Sequence, residues 1–258
     1  NLPVVLCLDR AGLVGEDGAT HHGTFDLVYF SCVPNMTIAA PRNEWMLRQM
    51  MYTASKADHP TVIRYPRGIG EGVEWRDTEF TTLEEGRGEK LRDGEDVAIV
   101  AVGTMANVAL RAAERSKRSV AVYDLRYAKP LDAALIEEIG VKYKRIITIE
   151  DGVIRGGVGE SVVAMLANKG FAPKVVNLGI ELGCEVNDYR AFKLLVGEGR
   201  ILLFGCVHNG VLVEGAPHAS RVAHFRYLSG KPAEVGLVHR VGAERCGIVA
   251  DNLVGEDY

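Results

Sequence analysis

Val4-Val5-Leu6-Cys7-Leu8, followed by Gly15-Glu16-Asp17-Gly18-Ala19-Thr20-His21-His22-Gly23, is the stretch on which the fold of this chain turns. The apolar run reads as a buried strand. The segment after it places an acid, a hydroxyl and two imidazoles between glycines. Glycine lets backbone approach a ligand closely, and imidazole titrates near neutral pH. Open α/β sheets hold their ligands in the crevice at the carboxyl ends of their strands. A polar, glycine-rich loop at that place is therefore expected to face a ligand. The competing expectation is a surface loop whose polar groups are merely solvated.

The pattern continues outward to about Gly68. A short helix is expected from Phe25, and a strand at Met36–Ala40. Pro41 introduces a helix near Asn43–Ser55, with Glu44 in its first turn, where the helix dipole favours an acid. Trp45, Met46 and Met50 are expected to face the core, with Met51 a further candidate. A strand at Thr61–Tyr65 runs into Pro66-Arg67-Gly68. Residues 69–94 are charged and glycine-rich with little periodicity, and read as a linker draped over a surface.

Beyond the linker, strands at Val97–Val102, Val120–Tyr123, Arg145–Ile149 and Lys174–Leu178 alternate with helices at Met105–Ser116, Leu131–Ile139 and Glu160–Asn168. Such alternation implies right-handed crossovers and a parallel sheet. Thr104 is expected to cap the first of these helices. Gly156-Gly157-Val158-Gly159 lacks the third glycine of a dinucleotide fingerprint and reads as a site of close packing. The fold class is α/β, with two parallel-sheet domains at residues 1–68 and 95–180. In the tail, residues 181–258, no sustained period emerges.

The chain has 258 residues, a formal net charge of −4 and 47% hydrophobic residues, enough for two ordinary cores. That charge gives no electrostatic footprint for nucleic acid. No apolar run is long enough to span a bilayer. The five cysteines lack close pairing, which argues against a disulfide scaffold and for a reducing, cytoplasmic compartment. Cys184, Cys206, His208 and Cys246 match no standard zinc spacing, so free thiols and no metal site are expected. The sequence enters a strand directly after Asn1-Leu2-Pro3, with no signal-peptide pattern, and is expected to be a piece of something longer.

Three motifs together carry a resemblance: Asp9-Arg10-Ala11-Gly12; Gly15-x-Asp17-Gly18-x-Thr20-His21-x-Gly23; and Arg64-Tyr65-Pro66-Arg67-Gly68. They resemble the 1-deoxy-D-xylulose-5-phosphate synthases, part of the transketolase-like, thiamine diphosphate-dependent group. Glu150-Asp151-Gly152, Gly156–Gly159 and Val176-Asn177-Leu178-Gly179-Ile180 look like the C-terminal domain of that family. The resemblance covers about residues 1–180.

It implies a homodimeric enzyme using thiamine diphosphate and magnesium to condense pyruvate with D-glyceraldehyde 3-phosphate, with loss of carbon dioxide. The product feeds isoprenoid, thiamine and pyridoxal synthesis. By the family match, His21 serves the reacting oxygens and Asp17 a substrate hydroxyl. Arg10 and Arg67 grip the aldehyde's phosphate, and Gly15, Gly18, Thr20 and Gly23 form the cofactor-adjacent loop. His22 matches a variable position and receives no role. The resemblance also implies that the domain binding diphosphate and magnesium, and the glutamate that activates the cofactor, lie outside this sequence. The polypeptide alone is then expected to be inactive. Two alternatives stand beside this reading: a beta-type subunit of a split transketolase or 2-oxo acid dehydrogenase, and a non-catalytic dimerisation or binding module.

Overall fold

In the computed structural model of the protein, residues 2–15, 17 and 19–182 are described, with the short strand segments Tyr189–Arg190, Leu194–Leu195, Ile201–Leu203, Cys206–His208, Val211–Val213 and Ile248–Val249. The zinc-spacing question for Cys184 and Cys246, and most of the tail, lie outside the described residues.

The first sheet contains β1 (Val5–Leu8), β2 (Thr37–Ala39) and β3 (Thr61–Arg64), in the order β1-β3-β2 and all parallel. Its helices are α1 (Asp26–Ser31) and α2 (Glu44–Ala54). The Asn43 side chain accepts the N–H of Met46 and so caps α2, satisfying a donor that the helix leaves without a partner. Met46 and Met50 are buried as expected, whereas Met51 is 47% exposed. Spacing explains the difference: Met46 and Met50 are four apart on one face, and Met51 is turned onto the next.

The second sheet contains β4 (Glu89–Arg92), β5 (Val97–Ala101), β6 (Val120–Asp124), β8 (Arg145–Val153) and β9 (Lys174–Leu182). Its order is β9-β8-β5-β6-β4, with Tyr189–Arg190 antiparallel on the outer edge of β9. The four inner strands are parallel. Every residue of β5 and β6 is buried, as a strand covered on both faces requires. Helices α3 (Met105–Arg115), α4 (Ala133–Lys142) and α5 (Val158–Asn168) form the crossovers. Ala106, Ala109, Ala112 and Ala113 let α3 lie close on the sheet.

Four features depart from expectation. β1, read as a buried strand, lies at the edge of the first sheet with Val5 and Cys7 exposed. β4 is antiparallel to β6 and lies inside the span read as linker. Its sequence, Glu-Lys-Leu-Arg, carries the charges typical of an edge strand rather than an apolar pattern. β7 (Tyr127–Lys129) follows β6 yet pairs antiparallel with β2, so a strand from the second half completes the first sheet. Thr104 does not cap α3 with its side chain; its backbone is already helical there, and a capping residue needs an extended backbone to aim its oxygen at the first free N–H groups.

One buried cluster contains Ile38 and Val62 of the first sheet with Ala98, Tyr123 and Ile146 of the second. The two α/β units therefore share apolar contacts. The segment before β4 is pinned to α2 by polar bonds. Buried Gln49 donates to the Glu79 carbonyl and accepts from the Thr81 N–H, and the Leu83 N–H donates to Thr53 Oγ1. Among the described residues, no helix is long and apolar enough to cross a membrane.

Candidate active site

The loop after β1 doubles back on itself. The Gly12 N–H donates to the Gly23 carbonyl at 2.9 Å, and the Gly23 N–H donates to the carbonyls of Arg10 and Gly12 at 3.0 and 2.9 Å. A side chain at Gly23 would place its Cβ 2.4 Å from the Arg10 carbonyl oxygen, so only glycine closes this neck. The Ala11 N–H donates to the Tyr65 carbonyl, which ties the neck to the end of β3. Arg10 and Arg67 are thereby brought to the same mouth from motifs far apart in sequence.

Arg10 has a left-handed backbone, φ +62°, uncommon outside glycine and frequent at functional turns. Its Nε donates to Asp17 Oδ2 at 2.8 Å, and its Nη1 also pairs with Asp9. Arg67 Nε lies 3.3 Å from the same Asp17 oxygen. The Arg10 hydrogen bond holds the Asp17 carboxyl below the usual carboxylate range; the charges of Arg67, Arg10 and nearby His21 act in the same direction, against partial desolvation. Asp17, Arg10, Arg67 and His21 thus share one electrostatic neighbourhood.

His21 ends a 3-10 turn, Ala19–His21, and is exposed, with its Nδ1 3.1 Å from Thr20 Oγ1. Gly15 is buried at the start of the turn. Gly18 lies outside the described residues. His22 points the other way: its Nδ1 accepts the Val14 N–H at 2.8 Å. Burial, with the charge of His21 second, pulls the His22 pKa down, which favours the neutral ring needed to accept that bond. The consecutive imidazoles therefore have different surroundings, one at the mouth and one bracing the loop.

Beneath the neck is a buried ionic group without an assigned role in the sequence reading. Arg64, 2% exposed, donates from Nε to Asp26 Oδ2 at 2.8 Å, from Nη1 to Asp151, and from Nη2 to the Gly23 carbonyl at 3.3 Å. Arg64 and Asp151 sit inside quoted motifs, but nothing local tells that they meet. Next to them, Glu150 accepts the N–H groups of Val158 and Gly159 at the start of α5. Burial pushes its carboxyl up to about 7, against those two bonds. Among the described residues, no group of three or more His, Cys, Asp or Glu could hold a metal ion. Cys7 and Cys32 are free and exposed.

Residues 1–71 match the transketolase pyrimidine binding domain, and residues 86–194 match the transketolase C-terminal domain. The chain is 53% identical over 183 residues to a 1-deoxy-D-xylulose-5-phosphate synthase of Parabacteroides distasonis, covering 69% of this chain and 29% of that protein. It is 48% identical over 183 residues to the synthase of Carboxydothermus hydrogenoformans, covering 70% of this chain and 29% of that protein. The chain thus spans under a third of the length of these curated relatives. A solved structure titled a split gene transketolase, inactive beta4 tetramer, superposes with a TM-score of 0.60 at 30% identity, covering 69% of this chain and 58% of that one. Through its pyrimidine-binding and C-terminal domains, the chain belongs to the transketolase family, and it is similar over about 70% of its length to the 1-deoxy-D-xylulose-5-phosphate synthases.

Proposed function

We propose that this chain carries the pyrimidine-binding and C-terminal domains of a 1-deoxy-D-xylulose-5-phosphate synthase. That enzyme joins pyruvate to D-glyceraldehyde 3-phosphate, releases carbon dioxide and supplies isoprenoid, thiamine and pyridoxal synthesis. A cytoplasmic homodimer goes with this reading. The observation that carries it is the convergence of Arg10 and Arg67 on Asp17 beside His21, within the residues that match the transketolase pyrimidine binding domain, in a chain about half identical to named synthases over about 70% of its length.

The donor set suits the substrate side of such a site. Two guanidiniums offer a fork geometry matched to phosphate oxygens. In the free chain Asp17 occupies part of that fork; an arriving phosphate would take the remaining N–H donors and leave Asp17 to accept a substrate hydroxyl. His21, at the mouth, donates to an oxygen that gains negative charge and exchanges protons near neutral pH. Thiamine diphosphate, when bound, supplies the acyl-transfer chemistry. These residues face its substrates. Its diphosphate and magnesium are assigned to the part of the enzyme outside this chain, as is its activating glutamate.

A second reading, a separate subunit completed by a partner chain, is favoured by the likeness to the split gene transketolase structure. Both readings expect the purified chain to be inactive alone. Pyruvate-dependent product should appear only when the diphosphate-binding part of a similar synthase is added, as a fused or a separate chain. Product from the chain by itself would refute that dependence. A folded, associated mixture that forms none would refute the synthase reading and leave the binding module. In the active assembly, Arg67→Ala should raise the KM for D-glyceraldehyde 3-phosphate about tenfold or more, with the KM for pyruvate unchanged. An unchanged aldehyde KM would remove Arg67 from the phosphate site.

A further inference from the structure

Arg64 touches three segments that are distant in sequence. Asp26 opens α1, Asp151 belongs to β8 of the second sheet, and Gly23 closes the neck of the candidate active-site loop. The side chains of Arg64, Asp26 and Asp151 are nearly inaccessible to water. Other contacts converge on the same junction. A Cβ on Gly12, whose φ is +76°, would lie 3.2 Å from Asp151 Cβ and 3.3 Å from its Oδ2. The Val153 N–H donates to the Thr24 carbonyl at 2.9 Å. A Cβ on Gly152 would meet Leu27 at 3.0 Å. The carboxyl end of β8 therefore abuts residues 12 and 23–27, the base of the loop.

Stability alone is a poor reason for this arrangement. A buried ion group can often be replaced by well-packed apolar residues without loss. What an apolar patch cannot supply is direction: a guanidinium fixes the angles between the groups it bridges, because its donors are planar and rigid. One arm of this fork reaches the neck carbonyl, and the other two reach the start of α1 and the second sheet.

We propose that Arg64 and Asp151 are positioning residues, through which the C-terminal domain sets the placement of the loop that carries Arg10, Asp17 and His21. The idea builds on the reading of that loop as the substrate site. Its test needs neither substrate nor cofactor, so its failure and that of the synthase reading can be told apart.

Asp151→Asn in the full 258-residue chain keeps the size and one acceptor and removes the charge. Residue-resolved hydrogen exchange compares the amides of Ala11, Gly12, Val14 and Gly23 with those of Ile99 and Ile147 in the second sheet. The loop amides should exchange about tenfold faster or more, while the sheet amides stay within about twofold. NMR titration of His22 gives a second readout. Its midpoint, held below the ordinary 6.5 in the closed loop, should rise toward that value. Unchanged loop exchange with an unchanged His22 midpoint overturns the proposal. Equal acceleration in loop and sheet also overturns it, because that pattern denotes support of the fold as a whole. Arg64→Lys, which keeps the charge without the fork, should reproduce the selective loosening and serves if Asp151→Asn fails to fold. A lysine variant with a fully protected loop overturns the proposal, and so does loss of fold in both variants.

Discussion

Asp17 at the mouth of the first sheet and Asp124 beneath the second are the same side chain near the end of a strand, held in opposite ways. Asp17 is partly open to solvent, and its hydrogen bond from Arg10 keeps its carboxyl below the ordinary range. Asp124, the last residue of β6, is fully buried. Burial pushes its carboxyl up to about 7, although the Arg126 N–H donates to it and Arg42 and Arg126 lie near. Glu150 behaves like Asp124. The difference teaches that a carboxylate with guanidiniums and water remains a charge that can be exchanged with a ligand. Without water, even two nearby cations leave the carboxyl raised to about 7, and the group serves the backbone as an acceptor.

The comparison is broken most severely at Arg64, the buried cation that bridges two buried carboxylates. Arg64→Met strands Asp26 and Asp151, and should cost about 3–5 kcal/mol in urea unfolding. A cost near zero would mean that the fold does not depend on this ion group.

The buried acids sharpen the comparison through pH. Asp124 and Glu150 have folded pKa values near 7, above their ordinary 3.8 and 4.5. Between those limits the folded state holds protons that the unfolded state has lost. Their contribution is therefore complete in acid, falls as pH rises through that window and is flat above it. Asp124→Asn with Glu150→Gln should flatten the slope by an amount on the order of a few kcal/mol between acid and neutral pH. Urea midpoints taken across that range check it. Asp17 has the opposite sign: its folded pKa is lowered, so its pairing contributes above the ordinary 3.8 and fades as pH falls below it. Asp17→Asn should remove that contribution at neutral pH and change the pH slope only on the acid limb.

His22 tests whether bracing and chemistry are separate in adjacent residues. His22→Phe leaves the Val14 N–H without its acceptor and should cost about 1–3 kcal/mol at neutral pH. His21→Phe, at the exposed mouth, should leave the unfolding midpoint almost unchanged. The wild-type bond should also weaken in acid, because the lowered His22 pKa means its contribution is present above 6.5 and lost as pH falls. The smallest effect lies away from both sites: Asn43→Ala should cost about 1 kcal/mol through loss of the α2 cap, with loop exchange unaltered.

Much of the fold was legible because it is local. The runs Val97–Val102 and Val120–Tyr123 are apolar throughout, and α2 is announced by Pro41 and by Glu44 in its first turn. That Arg10, Asp17, His21 and Arg67 lie together was legible because they sit in compact motifs. The edge strands were not: β4 is mostly charged, and β7 is three residues long beside Pro130, so neither carries a periodic signal. The bracing role of His22 was hidden because its partner is a backbone N–H, which every non-proline residue possesses.

By itself the sequence determined the alternation of the main strands and helices, the parallel pairing of the inner strands and the family motifs, since these depend on spacing over a few residues. Only the tertiary structure decided that β7 completes the first sheet, that Asp124 and Glu150 are pushed toward the neutral form while Asp17 is not, and that Arg64 meets Asp151 across 87 residues of chain. Protonation and ion pairing depend on desolvation and distance. Both are properties of the packed neighbourhood, and no side chain carries them alone.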